Sequence, residues 1–458
     1  MSRRPEGLVY AENERPPFPV LLLLGVQHII LMSSTLVLPI VLVSEVGGSF
    51  HQVRGVVALT MIACGLGTIL QAVRIRGFGS GFLCPNLCGP SFFGVSMSAA
   101  WLGGLPLMRG MTIAAGVFEV AFAKAIKRFG FLFPPEITGL VVLMVGVSLI
   151  PLGASKFLGI TFQDEPISGK NLALAAITLL GMIAANIWGR GKIRLFGVLV
   201  GMVIGYALSI AAGAIGVDQL AELGRSPWFG LPVIDGMTTI SFRWSLLPAF
   251  LIVSATGALK SMGNLTMCEK VNDADWKAPN LDRISNGLMA DSVAVAVSGL
   301  IGGVASDTSA SNVALSSASG ATSRYIGYAA GSLFVTLGFS PKISALLSLM
   351  PVPVMGAILV FVTSFMIMSG VQIILGSGVD SRKIFVIGIP VVFGLSLDIL
   401  PGLYAGIGGW LRPLFDSSLT LATVMAVILH QILRSRPRLL RTRPRPQPHA
   451  VSEAKAAD

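Results

Sequence analysis

Apolar runs separated by short polar breaks repeat from Phe18 to Leu433. A helix needs about 20 apolar residues to cross the hydrocarbon of a bilayer. On that measure the first half holds spans at residues 18–43, 53–73, 108–125, 134–152, 171–188 and 195–215. The second half holds them at 244–267, 285–304, 321–339, 353–374, 384–397 and 417–433. Two further segments have apolar content but break helical rules. Residues 81–92 contain Pro85, Pro90, Gly81, Gly89 and Asn86, and residues 306–320 are almost all small or hydroxylated. Unpaired backbone groups are not tolerated against lipid, so such stretches survive at membrane depth only inside protein or beside a water-lined cavity. Counted as short third crossings, they give two halves of seven spans. Interrupted segments at matching places in two halves mark a midplane binding site between inverted repeats. A kinked helix and an external serine loop are the other reading of the same residues.

Composition agrees with a membrane setting. Only 12% of the 458 residues are charged, 53% are hydrophobic and the mean hydropathy is +0.79, too little polar surface for a soluble globule. The net charge of +11 could point to nucleic acid. Much of it sits at Arg3 and Arg4 and at Arg434, Arg436, Arg438, Arg441, Arg443 and Arg445, beside the first and last spans, where it marks the cytoplasmic side and meets anionic headgroups. The expectation is a multi-pass inner-membrane protein with both ends in the cytoplasm and no nucleic-acid partner. Residues 1–17 form a cytoplasmic segment, 18–434 a transport domain and 435–458 a basic tail; within the domain, 18–218 and 244–434 are the repeats and 219–243 their connection. The first apolar stretch is too long for a signal peptide and reads as a retained helix. Cys64, Cys84, Cys88 and Cys268 form neither a disulfide framework nor a metal pattern, and no cofactor is implied.

Several motifs together resemble the nucleobase-ascorbate transporter family, which includes uracil and xanthine permeases. They are Gln27-His28 in the first span, Phe133-Pro134-Pro135-Glu136-Ile137-Thr138-Gly139, Gly287-Leu288-Met289-Ala290-Asp291 and Pro351-Val352-Pro353-Val354-Met355-Gly356. The resemblance implies an all-α protein of fourteen spans as two inverted seven-span repeats. It further implies a core and a gate domain, with short strands preceding half-helices in the third and tenth spans and the substrate between the half-helix ends. Helix N-termini aimed there offer N–H groups and positive dipole ends to a carbonyl or anion. Relatives also imply a homodimer through the gate.

The departures concern the site. The family's tenth-span signature falls on Ser311-Asn312-Val313-Ala314 and Ser319-Gly320, keeping Asn and the last Gly. Its eighth-span acidic pattern falls on Ser254-Ala255-Thr256-Gly257-Ala258, with both carboxylates absent and Lys260 nearby. The substrate-binding candidates are therefore Asn312, whose amide can donate and accept, with Ser311, Ser254, His28, Gln27, Phe92, Ser317 and Ser319. Phe92 is the aromatic candidate for stacking a flat ring, and Phe82 and Phe93 read as lipid-facing. Asp291 and then Asp307, placed in a wetter connection, are the proton-coupling candidates, and Glu119 reads as structural. Lys260 either meets an anionic substrate or coupling anion, pairs with Asp291 or Asp307, or reaches past the end of a shorter helix. No zinc, Ser-His-Asp or phosphate-loop motif points to an enzyme. The leading expectation is a secondary transporter of a nucleobase or related planar heterocycle coupled to protons or another ion. A small-anion transporter on the same fold, or a channel or sensor, is the alternative.

Overall fold

The structure is a computed structural model that describes residues 5, 8–75, 77–129, 134–160, 167–189, 197–232, 239–277, 279–376, 378, 380–404, 406–407, 415 and 418–434. Phe133, part of the connection and the basic tail beyond Arg434 lie outside these residues.

The first half contains α1 (Phe18–Ser33), α2 (Val37–Glu45), α3 (Phe50–Ala72), β1 (Asn86–Cys88), α4 (Pro90–Phe129), α5 (Pro135–Ser148), α6 (Ile150–Phe157), α7 (Gly169–Ile187) and α8 (Gly197–Ala211). Helix α9 (Val217–Arg225) follows. The second half contains α10 (Leu247–Asn272), α11 (Leu281–Ile301), β2 (Ser306–Thr308), α12 (Ala310–Ser319), α13 (Arg324–Gly338), α14 (Pro341–Ser348), α15 (Val352–Gly376), α16 (Ser381–Ile399) and α17 (Ser418–Arg434). Eight helical stretches among the described residues are long and apolar enough to cross a membrane, or nine if α13 and α14, bent by 82°, make one span.

Local chemistry explains the boundaries. Ser49 and Gln52 form a reciprocal capping box at the start of α3, and Asn280 accepts from two N–H groups at the start of α11. Gly302 and Gly320 end α11 and α12 in the left-handed region, with φ of 95° and 65°. Helix α4 breaks at Gly103 and Gly104, the latter at φ +68°, which separates a short third-span helix from the fourth span.

The helices gather in two groups. Helices α1–α4 pack with α10–α13, led by α4 on α11 and α3 on α13, while α5–α8 pack with α15–α17. Small residues bring backbones together in both. A methyl group at Gly65 would lie 2.7 Å from the Gly331 oxygen, and one at Gly370 would lie 2.7 Å from the Gly139 oxygen.

The alternative reading of the serine tract as an external loop falls, since it forms β2 and α12 inside the protein. Three expectations change. The eleventh-span helix begins at Arg324 rather than residue 321, because Thr322 and Arg324 give their N–H groups to Tyr10 and Glu12. The N-terminal segment is thus a docked strap, with Val9 and Tyr10 bonded to the Gly320 oxygen and Glu12 ion-paired to Arg74 and Arg283. Phe82 and Phe93 are buried within protein, not lipid-facing, and Phe82 carries the Arg283 guanidinium 3.5 Å above its ring.

Candidate functional site

Strands β1 and β2 pair antiparallel, with Asn86 opposite Thr308, Leu87 opposite Asp307 and Cys88 opposite Ser306. Each strand runs into a helix two residues later, so the ladder brings the N-termini of α4 and α12 together in the protein interior. Ser309 caps α12 by accepting from the Asn312 N–H, and its own N–H donates to the Pro85 oxygen across the ladder. The irregular backbone is satisfied by these bonds, which lets it lie at membrane depth.

Three side-chain clusters surround the ladder. In the first, His28 of α1 and Asn312 of α12 meet at 2.8 Å, Nδ1 to Oδ1, while the Asn312 amide donates to Ser309 Oγ at 2.8 Å. Both ends of Asn312 are engaged and the residue is fully buried, so it fixes α12 against α1 instead of facing the cleft. Gln27 is buried beside His28. In the second cluster, Asp291 of α11 accepts from Asn86 Nδ2 at 2.7 Å and Ser261 Oγ at 2.5 Å, and Thr308 joins Ser261 and Asn264 to the same network. In the third, Asp307 Oδ2 receives Lys260 Nζ at 2.5 Å and Ser91 Oγ at 2.7 Å. Asp307 is 1% exposed, the opposite of a wet connection, whereas Lys260 remains 22% exposed. Lys260 therefore has a carboxylate partner and still reaches open space.

The open face of α12 carries Ala310, Ala314 and Ser317, four and three residues apart, with Ser311 exposed beside Ala310. Ser311 Oγ lies 3.0 Å from Ser309 Oγ and borders the helix start. Ser317 lies two turns along the same face. Ser319 is not brought to the helix start: it lies at the other end of α12 and donates to the Ser316 oxygen. Ser254 turns away as well, donating to the Ala115 oxygen of α4 at 2.9 Å and lying 3.5 Å from Glu119 Oε2. The Phe92 ring is buried against α10, where a methyl group on Gly257 would lie 3.4 Å from its edge. Stacking a substrate on Phe92 would require these elements to part.

Sequence reasoning missed Asn86, Ser91, Ser261 and Asn264. Their partners lie about 30 to 220 residues away, and no local pattern announces them. The clue was polarity itself, since a buried amide or hydroxyl in a span needs a partner.

Comparison with known proteins agrees with this architecture. The nucleobase transporter PlUacP of Paenibacillus larvae is 27% identical over 89% of this chain and 93% of its own length. The uric acid permease PucJ of Bacillus subtilis is 27% identical over 89% and 91%, and the xanthine permease XanP of Escherichia coli 24% over 93% and 94%. Among solved structures, the transmembrane domain of the cyanobacterial bicarbonate transporter BicA matches with a TM-score of 0.56 at 16% identity, covering 91% of this chain and 98% of that one. A murine solute carrier 26 family member A9 anion transporter in the inward-facing state matches with a TM-score of 0.58 at 11% identity, covering 92% and 69%. These neighbours share the inverted-repeat fold. The permease family's profile matches residues 20–403, nearly the whole membrane region, and this chain belongs to that family, the nucleobase-ascorbate transporters.

Proposed function

We propose that the protein is a proton-coupled secondary transporter of a nucleobase or related planar heterocycle, a purine, pyrimidine or urate, working by alternating access and not by chemistry on its substrate. The observation that carries this reading is the meeting of two half-helix N-termini across the β1–β2 ladder, with Ser311 and Lys260 bordering open space. Helix starts and a serine hydroxyl suit the carbonyl-rich edge of an oxidised base. The group α1–α4 with α10–α13 is the core that carries the site, and the group α5–α8 with α15–α17 is the gate, within fourteen crossings and with both termini in the cytoplasm of a bacterial cell. A homodimer would form through the gate.

In this scheme His28, Gln27 and Asn312 position α12, while Ser311 and Ser317 contact the substrate. Asp291 exchanges a proton when its bonds to Asn86 and Ser261 open, and Asp307 does so when Lys260 leaves it. A second reading, transport of a small anion, draws on the same exposed lysine beside two helix starts.

Uptake of labelled xanthine, uracil, urate, sulfate and bicarbonate into proteoliposomes, with and without a pH gradient, separates the two. Accumulation of a base driven by an inward proton gradient is expected. Accumulation of only an anion would overturn the base reading. In the Asp291→Asn variant the remaining base uptake should no longer respond to the gradient.

A further inference from the structure

Glu119 has been given no part so far. It lies in the lipid-level portion of α4 and is 1% exposed. Its depth follows from the antiparallel contact of α4 with α11. Ser285 Oγ bonds the Ala123 oxygen, and a methyl group on Gly116 would lie 2.5 Å from the Ala296 N, so between these contacts Glu119 falls level with Asp291. Residues 116, 119 and 123 are three and four apart and share one face, which seats Glu119 at the seam with α11.

The neighbouring groups decide its charge. The carboxyls of Asp291 on α11 and Asp307 on β2 are near enough to act on it electrostatically, and both are acidic. On α10 its neighbour is Ser254, while Lys260 is engaged by Asp307. Glu45 of α2 and Glu136 of α5 lie beside other partners, Lys156 and His430. On α4 itself, Lys124 is exposed and Arg109 is bound to the Gly299 and Leu300 oxygens. Among the described residues no cation pairs with Glu119, and an unpaired carboxylate so far from water is strongly disfavoured.

Hydrogen-bond accounting reaches the same result. Asp307 has a cation, and Asp291 has two donors, one on each oxygen. Ser254 has a single hydroxyl hydrogen, which goes to the Ala115 oxygen at 2.9 Å, an acceptor only. The Ser254 hydroxyl lies 3.5 Å from Glu119 Oε2, too far to act as a strong donor, so Glu119, unlike Asp291 and Asp307, lacks the close donors or cation that would hold a charge.

We propose that Glu119 is a second proton-binding carboxylate of the transport site, loaded in this conformation and emptied when movement of α10 against α4 lets water reach the seam. The proton leaves to that water, Glu119 becomes a carboxylate, and no other bond changes. Residues 254 and 261 lie seven apart on one face of α10, so the helix that touches Glu119 through Ser254 touches Asp291 through Ser261. One helix movement thus addresses both carboxylates.

This inference rests on the proton-coupled reading, and its test separates the two. Wild type and Glu119→Gln are reconstituted in vesicles containing a pH-sensitive dye, and protons moved per labelled xanthine are counted. Wild type should move protons with xanthine, whereas the residual uptake of Glu119→Gln should carry about twofold fewer and lose most of its pH dependence. An unchanged proton count and pH profile in Glu119→Gln, beside a coupled wild type, would overturn the role of Glu119 alone. A wild type that moves xanthine without protons would overturn coupling and this inference together. Should Glu119→Gln fail to insert, infrared spectra of purified wild type and Ser254→Ala at neutral pH provide the test. A protonated-carboxyl band that shifts in Ser254→Ala supports the assignment, and its absence or indifference to Ser254 overturns it.

Discussion

Glu45 at the end of α2 and Lys156 near the end of α6 form an ion pair that joins the two helix groups. It stands beside a cavity of about 540 Å³ lined by residues that include Glu45, Gln52, Ala100, Trp101 and Pro106. Lys156 is 5% exposed, whereas the Glu45 side chain is 22% exposed. Removing one member of a fully buried pair costs about 3–5 kcal/mol, chiefly because the other charge is stranded. Water at Glu45 offsets part of this, leaving about 2 kcal/mol, lost only where the two groups touch. At about 1.4 kcal/mol per tenfold, Glu45→Gln should raise the population with this side open about 30-fold.

The assay is labelling of an Ala100→Cys variant by a membrane-impermeant maleimide in right-side-out and inverted vesicles. The four native cysteines are buried, so they contribute little background. Labelling from one side should accelerate about 30-fold with Glu45→Gln or Lys156→Gln and return toward the starting rate in the charge-reversed pair Glu45→Lys with Lys156→Glu. Unchanged rates in both single variants, or no recovery in the reversed pair, would refute the idea that this contact holds the two groups together.

Other perturbations address the site and its packing. Asn312→Ala removes the His28 and Ser309 bonds and should abolish base uptake while membrane-inserted protein, measured by immunoblot, stays near normal. Lys260→Met strands Asp307 and should lower stability by about 3 kcal/mol in a detergent unfolding assay, with Lys260→Met plus Asp307→Asn recovering most of it. Gly65→Ala forces a methyl group to within 2.7 Å of the Gly331 oxygen, and a loss of about 1–3 kcal/mol is expected in the same assay.

The sequence made the membrane fold legible because the bilayer imposes a length on every apolar run. It also exposed the two irregular segments, whose Pro, Gly and Ser residues cannot face lipid. What it could not give was direction. Ser254 was placed at the site from its position in a motif, yet its hydroxyl turns to α4, where it donates to the Ala115 oxygen. Glu119 read as structural because its apolar neighbours hide a seam made of three helices. Asn312 was expected to meet the substrate, but the partners that occupy it come from α1 and from its own cap. The strap at residues 8–14 was invisible for a similar reason: nothing local shows that Gly320, more than 300 residues away, leaves an oxygen for it.

The two three-residue strands also set an order of assembly. Asn86 and Thr308 are separated by about 220 residues, which at about 5–20 residues per second takes on the order of 10–40 s to synthesise. During that interval the first strand has left the ribosome without its mate, and apart from the Asn86 N–H, which bonds Thr68 Oγ1, the groups that pair with the second strand await partners in an apolar setting. The nascent chain must therefore keep this stretch hydrated or sheltered by the insertion machinery until the later half arrives, so the recognition centre is among the last parts of the protein to mature.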